Sequence, residues 1–508
     1  MTRYTSRSAT YIGSITLAAK LAERLAAFVQ IALIASIFGA TTRSDLYFIA
    51  SIIPLTAGTV VGEALATSML PSLVRRHRSH GFQSYLAATF WLSLGVLSAL
   101  LVVYVAIAAV VVADLSPAGT TSLWPWLAFC PILLVLGMSS YFSSVLLVQE
   151  RYTWPPFRAA VATTSGLILV GISLLVTHSV TLIAACTTAG YSIALGLLFV
   201  DVARAYGLSW MRKPTRDDVR AVLALRRNIW TGVAGGVVGG QTFVLVERAL
   251  AAGLGVGAVS TISYARGIVF TPNLVGQAVA MGIYPGMVRA HEANDAAFVR
   301  AALIRGLRLT LVVGLAVVVY LAAFSKDLVH LLLQRGALDA GESAVVGRSL
   351  LAFAPAVLGS ALLILSSRLF YAVDYFRGIV WSQLAVLVIY VPLALALRSW
   401  EAPVGLAAAF GIAELAGGIA SVALAARIAQ TSWTDLRPLA EVARPVALVA
   451  LVVLPVTLGL DQLHASGAAQ ALVGGAATVL TVTAYLLTSN WPEAAVLRRF
   501  LRREAEGR

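Results

Sequence analysis

Charge is scarce in this chain. Asp, Glu, Lys and Arg make up only 12% of its 508 residues, about half the share of a soluble domain. Water is therefore excluded as its main solvent. No sizeable polar domain interrupts the apolar runs, which recur from end to end. The alternating short segments of a membrane β-barrel are also missing. Cysteine is limited to Cys130 and Cys186, both in apolar segments and without metal-ligand spacing. They carry no sign of redox compartment. Acidic residues are few, 23 against 37 basic ones, for a net charge of +14. What remains is 59% hydrophobic, with a mean hydropathy of +0.87. Helices satisfy their own backbone hydrogen bonds in lipid. The composition therefore predicts an all-α polytopic membrane protein.

A crossing needs roughly 20 apolar residues. On that criterion fourteen transmembrane helices are predicted, at 11–38, 44–74, 83–113, 124–149, 156–177, 180–203, 227–252, 257–288, 297–324, 343–372, 377–397, 402–428, 442–460 and 466–488. Several exceed a perpendicular crossing, as tilted or broken helices would. The N-terminus is basic, then apolar, and lacks a small-residue cleavage site, so no cleaved signal peptide is expected. With both termini cytoplasmic, 27 of the 37 Lys and Arg fall on the inner side. That sorting follows the positive-inside rule of a bacterial inner membrane. The basic loops then face anionic lipid, so the net charge calls for no nucleic acid. The outward loops are short. The longest, at 325–343, carries its own short apolar helix, and the inward linker "YGLSWMRKPTRDDVRAVLALRR" reads as an amphipathic segment on the membrane surface.

"MLPSLVRRH" (69–77) and "IYPGMVRAH" (283–291) share the pattern Pro-x-x-Val-Arg-x-His. Each follows an earlier proline in its own span, Pro54 and Pro272. Span 2 then corresponds to span 8, and two six-helix lobes related by an internal repeat follow, with two C-terminal helices left over. The expected division is an N-terminal lobe at 1–206, a linker at 207–226, a C-terminal lobe at 227–428, and helices 13–14 with a basic tail at 429–508. Transporters are commonly built so, with the substrate near the midplane.

Ionisable residues inside the spans are costly, about 2.5–3.5 kcal/mol each at the bilayer centre on insertion scales. On a helical wheel Thr16, Lys20, Glu23, Arg24, Ala27 and Gln30 form one stripe of span 1, opposite Leu17, Leu21, Leu25, Phe28 and Val29. Lys20 and Glu23 could pair simply as helix glue, which leaves Arg24 over. The alternative is a cationic surface for an anionic headgroup, for which the planar fork of Arg suits phosphate. Arg266 in span 8 is a second cavity candidate. Glu63 and Glu414 could each pair an arginine, carry a proton or bind a cation. Glu247 could be an ion or proton site, and its neighbour Arg248 reads as an outer-interface snorkeller. Arg348 and Arg368 read as interfacial, and Asp45 as a helix cap. The glycines of "GVAGGVVGGQ" (232–241) suit close helix packing or a hinge.

Three blocks carry a resemblance: "ERLAAFVQIALIASIFGATTRSDLYFIASIIP", "VVGEALATSMLPSL" and "LLLQRGALDAGESAVVGRSLLAFAPAVLGSALLILSSRLFYAVDYFRG". They resemble the MurJ/MviN lipid II flippase family of the multidrug/oligosaccharidyl-lipid/polysaccharide exporter superfamily. The resemblance implies the fourteen-span fold. It puts the family's first cavity arginine on Arg24, the acidic residue of TDAF on Asp45, that of AEG on Glu63, and the acidic residue of the cation site on Glu247. The chain departs from the family at three cationic positions. The second helix-1 arginine is replaced by Gln30, the helix-2 arginine by Gly58, and "YARG" shifts the helix-8 arginine to Arg266. Lys20 could partly compensate. No match to the cation site's helix-11 ligands stands in "WSQLAVLVIYVPLALAL".

The expected function is therefore a flippase, not an enzyme. It would move a polyprenyl-diphosphate-linked glycan, first of all lipid II, from inner to outer leaflet by alternating access. Lys20, Arg24 and Arg266 would meet the pyrophosphate, with Glu23, Gln30, Asp45 and Glu63 as polar or gating groups. No cofactor or metal is expected. Membrane potential or a monovalent cation could drive transport, with Glu247 the candidate site. The expected partners are the glycolipid, the bilayer and cell-envelope synthesis proteins. The departures open alternatives: another lipid-linked oligosaccharide, multidrug export, or a non-transporting envelope scaffold. A membrane glycosyltransferase would need an outward domain with carboxylates, which this chain lacks.

Overall fold

The computed structural model describes residues 6–77, 81–115, 122–148, 154–224, 242–432, 434–463, 465–489 and 491. Among them the chain is all helix, without a strand. Twelve helices are long and apolar enough to cross a membrane, so this is a multi-pass membrane protein. The other two predicted spans differ. Residues 227–241, including the glycine-rich "GVAGGVVGGQ", lie outside the described residues. The span at 257–288 is two helices, interrupted at 270–272. Pro272 has no N–H to continue the ladder and breaks it there.

The chain divides into two compact units, 1–252 and 253–508. The first comprises α1 (Ser6–Phe38), α2 (Thr42–Arg76), α3 (Phe82–Leu115), α4 (Trp124–Val148), α5 (Arg158–Leu174), α6 (Val180–Tyr206), the short α7 (Arg216–Leu223) and α8 (Thr242–Ala252). Gly39 ends α1 in a left-handed turn (φ 60°), its N–H donating to Ala35 O at 2.9 Å. The helices pack through small residues. A Cβ on Gly62 would stand 2.6 Å from Gly137 Cα, and Gly190 of α6 lies directly on Gly166 of α5. Backbones in lipid gain attraction by such close approach. The linker after α6 is docked rather than loose: Trp210 is fully buried among Phe90, Phe142 and Phe199. Beyond it, α7 starts at a Thr215 cap, with Asp218 N–H donating to Thr215 Oγ1 at 3.2 Å.

The second unit comprises α9 (Ala258–Val269), α10 (Asn273–Glu292), α11 (Ala296–Leu332), α12 (Ala340–Ala372), α13 (Phe376–Leu397), α14 (Pro403–Ile428), α15 (Ala443–Gln462) and α16 (Gly467–Thr488). Its core joins Met287, Leu303, Leu307, Leu365, Leu369 and Phe370. A kink at Phe324 (φ −122°, ψ 15°) splits α11, and its last part, 325–332, supplies the short helix expected within the loop 325–343. The last two helices lie on α11, where Phe324 meets Gly474 and Tyr320 donates to Ala471 O at 3.0 Å. Arg300 pairs with Asp435 at 3.2 Å, and Arg308 reaches Glu441 at 3.8 Å and lies 4.3 Å over Trp491. Both Pro-x-x-Val-Arg-x-His motifs close their helices and put basic residues in or beside the last turn of α2 and α10, where the helix dipole favours cations.

Candidate functional site

Helix α1 is one continuous segment, with Lys20, Glu23 and Arg24 near its middle. Lys20 Nζ contacts Glu23 Oε2 at 2.7 Å, as the i, i+3 spacing allows. Arg24 is exposed and makes no ion pair or hydrogen bond among the described residues. The neighbouring Leu21, Leu25 and Val29 are exposed too, as a lipid-facing surface would be. An exposed, uncompensated guanidinium at this depth needs water or an anion beside it.

Gln30 is buried. Its amide donates to Tyr47 OH at 3.0 Å and to Thr187 Oγ1 at 2.9 Å, tying α1 to α2 and α6. Gln30, for which the resemblance implies a family arginine, is a neutral structural knot. Gln30→Leu is expected to leave buried Tyr47 and Thr187 hydroxyls short of a partner. The cost is about 1–3 kcal/mol, read as a lowered melting midpoint of the purified protein.

Gly58, the other position at which the resemblance implies an arginine, is closed by packing. A Cβ on Gly58 would stand 2.9 Å from Leu133 O and 3.1 Å from Leu136 Cβ. No side chain fits there unless α4 moves. Glu63, one and a half turns along α2, is instead exposed and faces a cation on another helix. Arg158 Nη2 lies 3.7 Å from Glu63 Oε1, and its Nη1 donates to Ser139 O of α4 at 3.5 Å. Arg158 thus links the start of α5 to Glu63 of α2 and to the Ser139 carbonyl of α4, separately from the Lys20–Glu23 pair of α1.

The signal that places Arg158 at a helix start is the Pro155–Pro156 pair. Proline fixes φ and favours helix starts, so Pro155–Phe157 form one tight turn and Arg158 opens α5 itself.

Asp45 is buried in the first turn of α2. The capping contact belongs to its neighbour: Thr41 N–H donates to Ser44 Oγ at 3.0 Å. On α8, Glu247 is fully buried. Arg248 is buried as well, its guanidinium 5.9 Å over the Phe48 ring, so it does not snorkel as its sequence position suggests. A neighbouring helix covers it, which hydropathy along one segment does not reveal.

In the second unit, Arg266 in the last turn of α9 lies 4.8 Å over Phe410 and 5.2 Å over Phe270. Aromatic faces stabilise a guanidinium without neutralising it. Glu414 is buried on α14. Arg348 pairs with Glu401 at 3.1 Å, both half exposed. Cys130 and Cys186 are free thiols. Among the described residues no cluster of three or more His, Cys, Asp or Glu has the geometry of a metal site.

Comparison with known proteins agrees with this architecture. A curated relative from Burkholderia cenocepacia, "Lipid II flippase MurJ", is 26% identical over 396 residues, covering 73% of this chain and 74% of that protein. A solved structure, "Lipid II flippase MurJ, inward closed conformation", superposes with a TM-score of 0.77 at 16% identity, over 96% of this chain and 99% of that one. An inward-facing multidrug resistance MATE family transporter of the MOP superfamily gives a TM-score of 0.66 at 11% identity, over 82% of this chain and 98% of that one. At these identities the two structures speak for the fold alone. The family model described as "Lipid II flippase MurJ" matches residues 34–473, from the second half of α1 to α16. A match over most of the chain, joined to the same helical fold, makes this protein a member of the MurJ lipid II flippase family.

Proposed function

We propose that the chain carries a polyprenyl-diphosphate-linked glycan, lipid II first, from the inner to the outer leaflet of the bacterial cytoplasmic membrane. The single observation that carries this reading is Arg24. It is a permanent cation at mid-helix, exposed, with no ion pair or hydrogen bond among the described residues. A diphosphate supplies the counter-charge that the described residues do not, and a guanidinium can take two of its oxygens at once. A cationic site suits anionic headgroups better than the cationic drugs of a multidrug exporter.

Lys20 adds charge one turn away, though Glu23 holds it, and Arg266 is the matching cation of the second unit. Six-helix lobes at 1–206 and 227–428 would alternate access, with the cytoplasm at both termini. Glu247 is the candidate for coupling to a monovalent cation or to membrane potential. The replacement of two family arginines by Gln30 and Gly58 favours one second reading, a flippase for a different lipid-linked oligosaccharide.

Complementation separates the two. In cells depleted of their own lipid II flippase, expression of this chain is expected to restore growth and cell shape. Failure at normal membrane abundance would instead favour a flippase for another glycan or a non-transporting scaffold.

A further inference from the structure

We propose that the second unit has a built-in binding site for a single water molecule, beside the helix break at 270–272, and that this water bridges α10 to α11. The proposal concerns the helical scaffold and holds whatever headgroup the transporter carries.

The break leaves Asn273 as the first residue of α10, directly after Pro272. Asn273 is buried, only 6% exposed. Ser360 of α12 fixes which way its amide points. The Ser360 hydroxyl has one proton, and it goes to Ala356 O at 2.7 Å. Toward Asn273 it can therefore only accept, and Asn273 Nδ2 donates to it at 2.7 Å. Asn273 Oδ1 must face the other way. Among the described residues it has no hydrogen-bond partner.

Thr310 of α11 lines the same cavity as Asn273 and is 2% exposed. A threonine inside a helix can donate its hydroxyl to the carbonyl one turn back. Thr457, Thr478 and Thr481 of the same unit do so, at 3.0, 2.8 and 2.7 Å. Thr310 does not, and its buried Oγ1 has no partner among the described residues. Two oxygens from two helices thus line one space without bonding to each other. In a membrane-spanning unit such groups are costly, because no lipid can satisfy them.

The size of the space selects the ligand. It measures about 10 Å³ for the centre of a water molecule, close to the roughly 10–15 Å³ that one bound water needs. Gly276 and Gly314 line it without a side chain to fill it, and Leu309, Val313 and Val357 make it otherwise apolar. One water accepts from the Thr310 hydroxyl and donates to Asn273 Oδ1, so it serves both. A monovalent cation fits less well. No carboxylate lines the space. It also lies against the first turns of α10, where the helix dipole is positive.

Thr310→Val gives a test by sign, since it keeps the shape and removes the hydroxyl. With water bound, the variant strips the water of a partner, and the melting midpoint is expected to fall by about 2–4 °C. In a dry cavity the same change removes an unsatisfied hydroxyl, so a midpoint that holds or rises overturns the proposal. Crystals of the full-length protein, diffracting well enough to show ordered water, give the direct readout. A peak is expected about 2.7–3.2 Å from both Asn273 Oδ1 and Thr310 Oγ1. It should persist in Thr310→Ser and vanish in Thr310→Val. A wild-type map that shows other buried waters but no peak here overturns the proposal, whether or not the valine variant folds. Soaking with thallium(I) is expected to leave the site without anomalous signal. An anomalous peak there would make it a cation site and overturn the assignment to water.

Discussion

Arg24→Ala is expected to lower the translocation of a lipid-linked diphosphate by about tenfold to a hundredfold. That is the loss of one or two charge-assisted hydrogen bonds to phosphate. Stability should barely change, because Arg24 is exposed and makes no ion pair among the described residues. Removing a charge from a membrane helix relieves rather than adds cost. Arg24→Lys should fall between the two: it keeps the charge but not the planar fork. Paired transport and melting measurements on reconstituted protein check both halves. A melting midpoint that falls together with transport would make Arg24 a structural residue.

Gly62→Leu is expected to have the opposite profile, with folding damaged first. Gly62 and Gly137 are where α2 and α4 touch, and a bare Cβ already meets Gly137 Cα at 2.6 Å. A leucine must push the helices apart along a contact with no flexible side chain to yield. Overpacking of this kind costs on the order of 3 kcal/mol. Glu63 is the next residue, and Arg158 leans on the same α4 through Ser139 O. The separation would therefore reach the Arg158–Glu63 pair as well. Loss of the monodisperse peak on size exclusion, with a much lowered melting midpoint, is the outcome to look for. Gly62→Ala should give a smaller effect in the same direction.

The two variants also mark which parts of this protein can be read from its residues. Hydropathy and end signals locate the helices closely: spans drawn at 124–149 and 377–397 are Trp124–Val148 and Phe376–Leu397. Lipid imposes helix on any long apolar run, so length alone carries that information. The break at Pro272 was marked by the proline but absorbed into one long span, because hydropathy does not register a missing N–H.

The site was less legible. The stripe on α1 was visible, and so was the Lys20–Glu23 pairing, since both depend only on spacing within one helix. The roles of Gln30, Arg158 and Arg248 depend on helices distant in sequence: Thr187 for the first, Glu63 for the second, Phe48 for the third. No periodicity within one segment encodes such a partner. Gly58 shows the same limit. It reads as a lost arginine, whereas its packing against Leu133 shows a position that has been filled by backbone.

The most direct test of the account is translocation by the purified chain alone. Proteoliposomes carrying fluorescent lipid II on one leaflet would be followed by quenching from outside, with a labelled polyprenyl-monophosphate sugar as the comparison. The account predicts that the wild type moves the diphosphate-linked glycan faster than the monophosphate one, and that Arg24→Ala loses most of that movement. Equal movement by wild type and Arg24→Ala, or no movement of any polyprenyl-diphosphate glycan by a folded protein, would contradict it.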